Sequence, residues 1–522
     1  MIRRSLALRG RTLLLAASLC GSLLTVGTSC APVCRGVDGA CLDVRVEGSG
    51  SYSSYAIEWR YSISDEPLAA LRRGATEEGG ELPRTFRVLP PPGVDPSQVT
   101  SIGVLGLSAD ASEQASGSIW ISNLGATDHR TETLPLGLRM SRHDISLAAS
   151  GSDLLAADLN GDSVMDLAVV STPALTTSNS LTGGILSVLY GLGDGTYRLP
   201  QTFEIPAQAM SIKVADVNGD GLPDLLTSGS GDSFSLFQNA GNSQFASRIG
   251  IPNTTGLTSG DCASGSDTHS LAVADVNGDG LLDVVASLRN RPCVSLLLGT
   301  TKTAFVGKDS APRPSPVSVG DSLTRMTVAD FNSDGRADVA VLRTTAGIGN
   351  ISLLLGGEKE SGFELFSTFT AGNEPTGIVS DDFNGDRRPD LAVVSARSSS
   401  LQIYLNQGFV SGMFGGSMGT VSNRTPDAVY RFGLPGYGPT CLVSGDINGD
   451  GLSDLVVCDT ALPTIAVLFG KSAGTFDPPI RLAVDREPSA VVIADLDGKG
   501  QRDLAVVHSG SSKLTVLLNR TN

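Results

Sequence analysis

An all-β fold, a seven-bladed β-propeller preceded by a small β-sandwich-like domain, is what this 522-residue sequence predicts. Three observations carry that expectation. A nine-residue acidic loop recurs seven times, each copy is flanked by short β-prone runs, and the stretches between copies lack the 3.6-residue apolar period of a helix.

The copies read DLNGDSVMD from Asp158, DVNGDGLPD from Asp216, DVNGDGLLD from Asp275, DFNSDGRAD from Asp330, DFNGDRRPD from Asp382, DINGDGLSD from Asp446 and DLDGKGQRD from Asp495. Their starts lie 58, 59, 55, 52, 64 and 49 residues apart, the length of one propeller blade. A β-prone run such as SLAVA or AVVIA precedes each loop and one such as LAVV or DLVVC follows it, so the loop caps a β-hairpin. A third apolar run comes next: ILSVLYG, FSLFQN, VSLLLG, ISLLLG, LQIYLN, IAVLFG or LTVLLN. It commonly leads to a Gly-rich turn ending in an aromatic, as at Tyr197 and Phe476, and then to a less regular fourth segment. Four antiparallel strands per unit fit radial closure, which protects strand edges. An extended β-solenoid is the alternative, although solenoid repeats are usually shorter.

The loop chemistry points to a cation. Like charges this close repel, so the loop is hard to hold folded unless something positive sits among its oxygens. Hard oxygen donors occupy positions one, three, five and nine, the position-seven carbonyl is available, and glycine at position six permits a sharp turn. All-oxygen donors without His or Cys favour calcium over zinc or copper, and several carboxylates on one flexible loop favour calcium over magnesium. The candidate ligands are Asp158, Asn160, Asp162 and Asp166; Asp216, Asn218, Asp220 and Asp224; Asp275, Asn277, Asp279 and Asp283; Asp330, Asn332, Asp334 and Asp338; Asp382, Asn384, Asp386 and Asp390; and Asp446, Asn448, Asp450 and Asp454. Asp, Asn and Gly also favour plain surface turns, but sevenfold recurrence argues against that reading. About six calcium ions are expected. The loop from Asp495 is the weakest, because Lys499 replaces its fifth-position carboxylate; Ser163 and Arg387 replace the position-six glycine in two others, and Ser333 stands at an unliganded position. At position twelve, where an EF-hand has a bidentate Glu, the residues are Val169, Thr227, Ala286, Val341, Val393, Val457 and Val506.

Loop, flanking strands and Gly-aromatic turn recurring together resemble the FG-GAP or VCBS repeats of bacterial surface proteins and of the integrin α-subunit propeller. The resemblance covers Asp158 to Asn519. It implies calcium at the loops joining the first two strands of the blades, and no particular substrate.

Three segments are expected: an export signal over 1–30, a β-sandwich-like domain over 31–130, and the propeller over 131–522, its last blade completed by a strand from Thr131–Met140. Arginines followed by an apolar stretch from Leu13 to about Val26 form the signal, and VGTSC ending at Cys30 resembles the lipobox of bacterial lipoproteins. Gly27 departs from the Leu that family prefers, so Cys30 is open to either lipidation or a disulfide. Cys34, Cys41, Cys262, Cys293, Cys441 and Cys458 form neighbouring couples in an exported chain, which suggests disulfides. For Cys441 and Cys458 the hairpin register sets the two face to face.

A formal charge of −16 argues against nucleic acid or anionic membrane as an electrostatic partner. The four histidines are scattered and belong to no recognisable catalytic constellation, so no enzyme is expected. The expectation is an exported calcium-binding propeller that binds or scaffolds, adhesion-like, at an outer membrane or cell surface, or else in the periplasm or secreted. Its partner is an unidentified protein or glycan. The alternatives are a lectin, for which the repeats lack tryptophan platforms, and a hydrolase or lyase acting on extracellular polymers.

Overall fold

The computed structural model describes residues 41–47, 51–63, 66–81, 84–88, 99–108, 112–120, 129–135 and 137–521, the last range apart from 173–182, 231–232, 253–267, 289–292, 302–303, 306–316, 320–321, 346, 359–361, 409–413, 415–419, 423, 432–437 and 461. Among these residues all regular structure is β, and the fold is a β-propeller. No helix of the described residues is long and apolar enough to cross a membrane.

Each repeat opens on an inner strand: Gly151–Ala157, Ile212–Ala215, Thr268–Ala274, Ser322–Ala329, Pro375–Asp381, Pro439–Gly445 and Pro488–Ala494. The acidic loop then turns the chain into an antiparallel second strand, which begins at the ninth loop residue in every copy: Asp166, Asp224, Asp283, Asp338, Asp390, Asp454 and Asp503. Second strands such as Asp390–Ser395 and Asp454–Asp459 are buried at every position. Neighbouring sheets cover both their faces, which is why the sequence there is a continuous apolar run rather than an alternating one.

Six repeats form discrete sheets, each of four antiparallel strands in chain order, with a separate two-stranded hairpin before the outer strand in the second, third and sixth; in the fourth, Thr420–Ser422 adds in parallel to Phe363–Asn373. The seventh repeat differs. Its strands Pro488–Ala494, Asp503–His508 and Lys513–Asn519 continue through Leu138–Ser146 into Glu113–Trp120, Val99–Leu107, Ser51–Ile63 and Glu66–Glu81, one eight-stranded sheet. The expected seven separate blades are thus corrected to six discrete blades and a shared sheet. The last repeat supplies only three strands, and the open edge of Lys513–Asn519 is covered by a strand from the other end of the chain.

The covering strand also differs from the expected Thr131–Met140. Met140 lies opposite Asn519 and Ser146 opposite Lys513, so the pairing runs over Met140–Ser146. His129–Pro135 instead pairs in parallel with Cys41–Glu47. Leu138 and Met140 are buried at the start of the covering strand, while its polar half, Arg142 to Ile145, is partly solvated. Among the described residues the strands between Cys41 and Pro135 fall into two sheets, one of which continues into the last repeat. Arg84–Val88, Cys41–Glu47 and His129–Pro135 form a three-stranded sheet, and the others belong to the shared one. The boundary expected at residue 130 therefore falls inside a strand. Gln114 fixes this region to the sixth sheet: its side-chain amide donates to the Ala483 carbonyl and accepts from the Ala483 N–H, as a paired strand would.

The core lies in the seams between repeats. Leu186, Val188 and Ile205 of the first repeat pack with Ile212, Leu225 and Phe237 of the second. Leu154, Val169 and Leu189 of the first pack with Val507, Leu514 and Val516 of the seventh. Hydroxyls stitch the inner strands together: Ser489 donates to Gly151 O, Ser152 to Ala209 O, Thr376 to Pro439 O and Thr440 to Pro488 O.

Candidate metal-binding loops

Each loop folds around its first aspartate. In the third copy Asp275 Oδ1 accepts from the N–H of Gly278 and Asp279, at 2.8 and 3.2 Å, and Oδ2 from Gly280 at 2.8 Å. Asn277 Oδ1 accepts from Asp279 N, its Nδ2 donates to Asp279 Oδ2 at 2.9 Å, and Asp279 Oδ1 accepts from Leu281 N. The same side-chain link of positions three and five recurs at Asn160–Asp162, Asn218–Asp220, Asn332–Asp334, Asn384–Asp386 and Asn448–Asp450. Asp158, Asp216, Asp330, Asp382 and Asp446 accept the backbone N–H of position six just as Asp275 does. In all six complete copies the side chains at positions one, three and five are thus tied into one loop by its backbone N–H groups and by the Asn–Asp link.

Position nine has a second task that the donor pattern did not reveal. Asp166, Asp224, Asp283, Asp338, Asp390, Asp454 and Asp503 are fully buried. One oxygen accepts from the N–H of loop position two, as Asp283 does from Val276 at 2.9 Å. The other accepts from the end of the third strand: Gly191, Asn239, Gly299, Gly356, Asn406, Gly470 or Asn519. These aspartates anchor the loop to its sheet as well as being candidate ligands. Burial pushes the carboxyls of Asp338 and Asp390 up to about 7 and those of Asp166, Asp283, Asp454 and Asp503 up to about 6, against the lowering effect of the two N–H donors. The loop carboxylates at positions one and five push Asp283 in the same direction as burial. A dication among them relieves that repulsion, so the donor chemistry fits calcium.

The loops are also tied to the next repeat. Asn239 Nδ2 donates to Leu159 O of the first loop, Asn406 Nδ2 to Phe331 O of the fourth and Asn519 Nδ2 to Ile447 O of the sixth. Where glycine stands instead, the approach is closer: a Cβ on Gly356 would lie 2.5 Å from Val276 O of the third loop. The signal is present as the last residue of each third apolar run, which is either Gly or Asn, and its meaning becomes plain only across the seam.

Not all loops are alike. Positions four and six both take left-handed backbone: φ is 72° and 81° at Gly278 and Gly280, but Ser163, Ser333 and Arg387 adopt 66°, 61° and 66°. Ser333 was read as neutral because its position holds no ligand; its backbone conformation makes it a strained site like the other two. Arg336 and Arg388, at position seven, reach the fifth-position carboxylates of Asp334 and Asp386 at 2.6 and 2.5 Å. In the seventh loop carboxylate oxygens of Asp495, Asp497 and Asp503 lie within 4.8 Å of one another. There Lys499 Nζ and Arg520 Nη1 already hold Asp497 Oδ2, at 2.6 and 2.5 Å. Arg520 was not foreseen.

Cys441 and Cys458 face each other across the sixth hairpin and form a disulfide, with Cα atoms 5.0 Å apart. Cys293 is disulfide-bonded. Cys30, Cys34 and Cys262 lie outside the described residues, and of Cys41 only the backbone, in its strand, is described.

Sheets of four antiparallel strands with an acidic loop joining the first two define the class: an acidic-loop β-propeller. The chain belongs to the FG-GAP-like repeat family, whose pattern matches residues 158–227, 216–286, 275–341, 382–457 and 446–506, more than half of its length. No curated protein matches it. Among solved structures it is similar to a chain of the crystal structure of BBS1N in complex with ARL6DN soaked with lead, at 11% identity and a TM-score of 0.47, over 72% of this chain and 94% of that one. It is also similar to the Dos1 propeller, at 9% identity and a TM-score of 0.42, over 72% and 94%.

Proposed function

We propose that this chain is an exported, calcium-stabilised propeller that serves as a binding or scaffolding protein, adhesion-like, held at an outer membrane or cell surface through Cys30. The observation that carries the reading is the sixfold recurrence of one oxygen-donor set, Asp, Asn and Asp at positions one, three and five with the Asn linked to the second Asp, each backed by a buried position-nine carboxylate. Asp158, Asn160, Asp162 and Asp166 hold one ion in this reading, and the five equivalent sets hold the others, about six in all. The seventh loop needs none, because Lys499 and Arg520 supply its positive charge.

The shared sheet acts as the seventh blade. In support, Pro488–Ala494 packs against Gly151–Ala157 and Ser489 Oγ donates to Gly151 O, as successive inner strands do elsewhere. Because the first, third, fourth and sixth loops are hydrogen-bonded to the following repeat, the ions set the rigidity of those seams and hence of the surface offered to a partner. A glycan partner is the less favoured one: Tyr190 and Tyr404 are 5% and 0% exposed, so these rings are packed and offer sugars no platform.

The test is affinity capture from a cell-surface extract on the immobilised chain, with and without calcium. A partner retained in calcium and eluted by chelator supports the reading. Identical retention in both conditions, or turnover of glycoside, phosphoester or peptide substrates by the chain itself, overturns it.

A further inference from the structure

The inner strands enclose an axial cavity of about 370 Å³, to which residues of every repeat contribute. Its character differs from that of the rest of the molecule. The chain carries a formal charge of −16, yet the charged residues lining this cavity are two cations, Lys213 and Arg325, and one carboxylate, Asp153. Asp153 is committed elsewhere: Oδ1 accepts from Leu154 N at 3.0 Å and Oδ2 from Ile212 N at 3.0 Å. Neither Lys213 nor Arg325 has a carboxylate partner among the described residues.

Three further features narrow the ligand. Lys213 lies on the second inner strand and Arg325 on the fourth, with Thr268–Ala274 between them, so the positive charge is placed at two separate points. Met326, Ile378 and Leu442 give the space between an apolar wall. Each inner strand is also the edge of its sheet, so its outward backbone N–H groups face the cavity without a strand partner. Two cations in a partly apolar cleft attract an anion more strongly than the same pair on an open surface. A cleft of this size suits a small molecule.

We propose that the axial cavity binds a small organic dicarboxylate, one carboxylate on Lys213 and the other on Arg325, with its carbon chain against Met326, Ile378 and Leu442. The site lies on the inner strands and does not depend on what the acidic loops hold.

The test is calorimetric titration of the calcium-saturated full-length chain with sodium succinate, and separately with sodium acetate and sodium phosphate. The expected result is one saturable succinate site per chain, with acetate at least tenfold weaker. Lys213→Gln and Arg325→Gln each weaken succinate binding tenfold or more. Lys213→Arg and Arg325→Lys, which keep the charges, retain it, and all four variants keep the wild-type circular dichroism spectrum and calcium content. Absence of a saturable succinate site, binding of phosphate alone, or unchanged succinate affinity in the Gln variants overturns the assignment.

Discussion

Acidification should unlock the strand that joins the two ends of the chain, through His508. This residue is fully buried in the seventh repeat. Thr515 donates its one hydroxyl hydrogen to Asp144 Oδ1 on the covering strand at 3.0 Å, so His508 Nε2 must be the donor in its 3.1 Å contact with Thr515. Protonation then has to fall on Nδ1, which is buried and has no hydrogen-bond partner. Burial lowers the imidazole from 6.5 to about 4, with Asp485 and Asp144 opposing the shift and Arg142 and Lys513 adding to it. A base with a depressed folded value binds more protons unfolded than folded between the two values. Its contribution to stability is therefore complete above pH 6.5, shrinks as pH falls, and is gone near pH 4. At about 1.4 kcal/mol per unit, the loss is about 3 kcal/mol at most. The buried position-nine aspartates act in the opposite sense, since their raised values let the folded state take up protons as pH falls. They are common to the wild type and a His508→Gln variant, so the comparison cancels them. Urea unfolding in calcium at pH 7, 5.5 and 4.5 should show the wild type losing about 2 kcal/mol more than the variant across that range. Parallel pH curves for the two proteins would refute the reasoning.

Other consequences follow from the same contacts. Ser163→Gly, Ser333→Gly and Arg387→Gly should each raise the melting temperature, since each relieves a left-handed non-glycine residue at about 1 kcal/mol, and a fall at all three would contradict the strain. Replacing Cys441 and Cys458 together by alanine should cost about 3 kcal/mol by denaturant unfolding, because the bridge closes a loop of 17 residues. Deleting residues 138–146 should lower the melting temperature and expose Lys513–Asn519 to proteolysis, whereas a deletion of 131–135 should leave that strand protected. Lys499→Asp combined with Arg520→Ala should add one calcium ion per chain, detected by metal analysis.

Much of this was legible in the sequence because its causes are local. A loop of nine residues contains its own donors and its own hydrogen bonds, and the facing of Cys441 and Cys458 follows from counting outward from that loop. What the sequence hid was long-range. His129–Pro135 and Leu138–Ser146 are adjacent, and only their partners, Cys41–Glu47 and Lys513–Asn519, tell them apart. Position before the first loop pointed to Thr131–Met140, and the polar run Arg142, His143 and Asp144 carries no local sign that it lies against Lys513–Asn519. The bonds from Asn239, Asn406 and Asn519 to the preceding loops, and the reach of Arg520 into the seventh, likewise cross seams that no local pattern records.

Calcium content measured on the purified chain, together with its melting temperature before and after chelation, bears most directly on the central claim. About six ions should be found, and chelator should lower the melting temperature by restoring repulsion among the loop carboxylates and loosening the seams they are bonded across. Two or fewer ions, or an unchanged melting temperature in chelator, would contradict it.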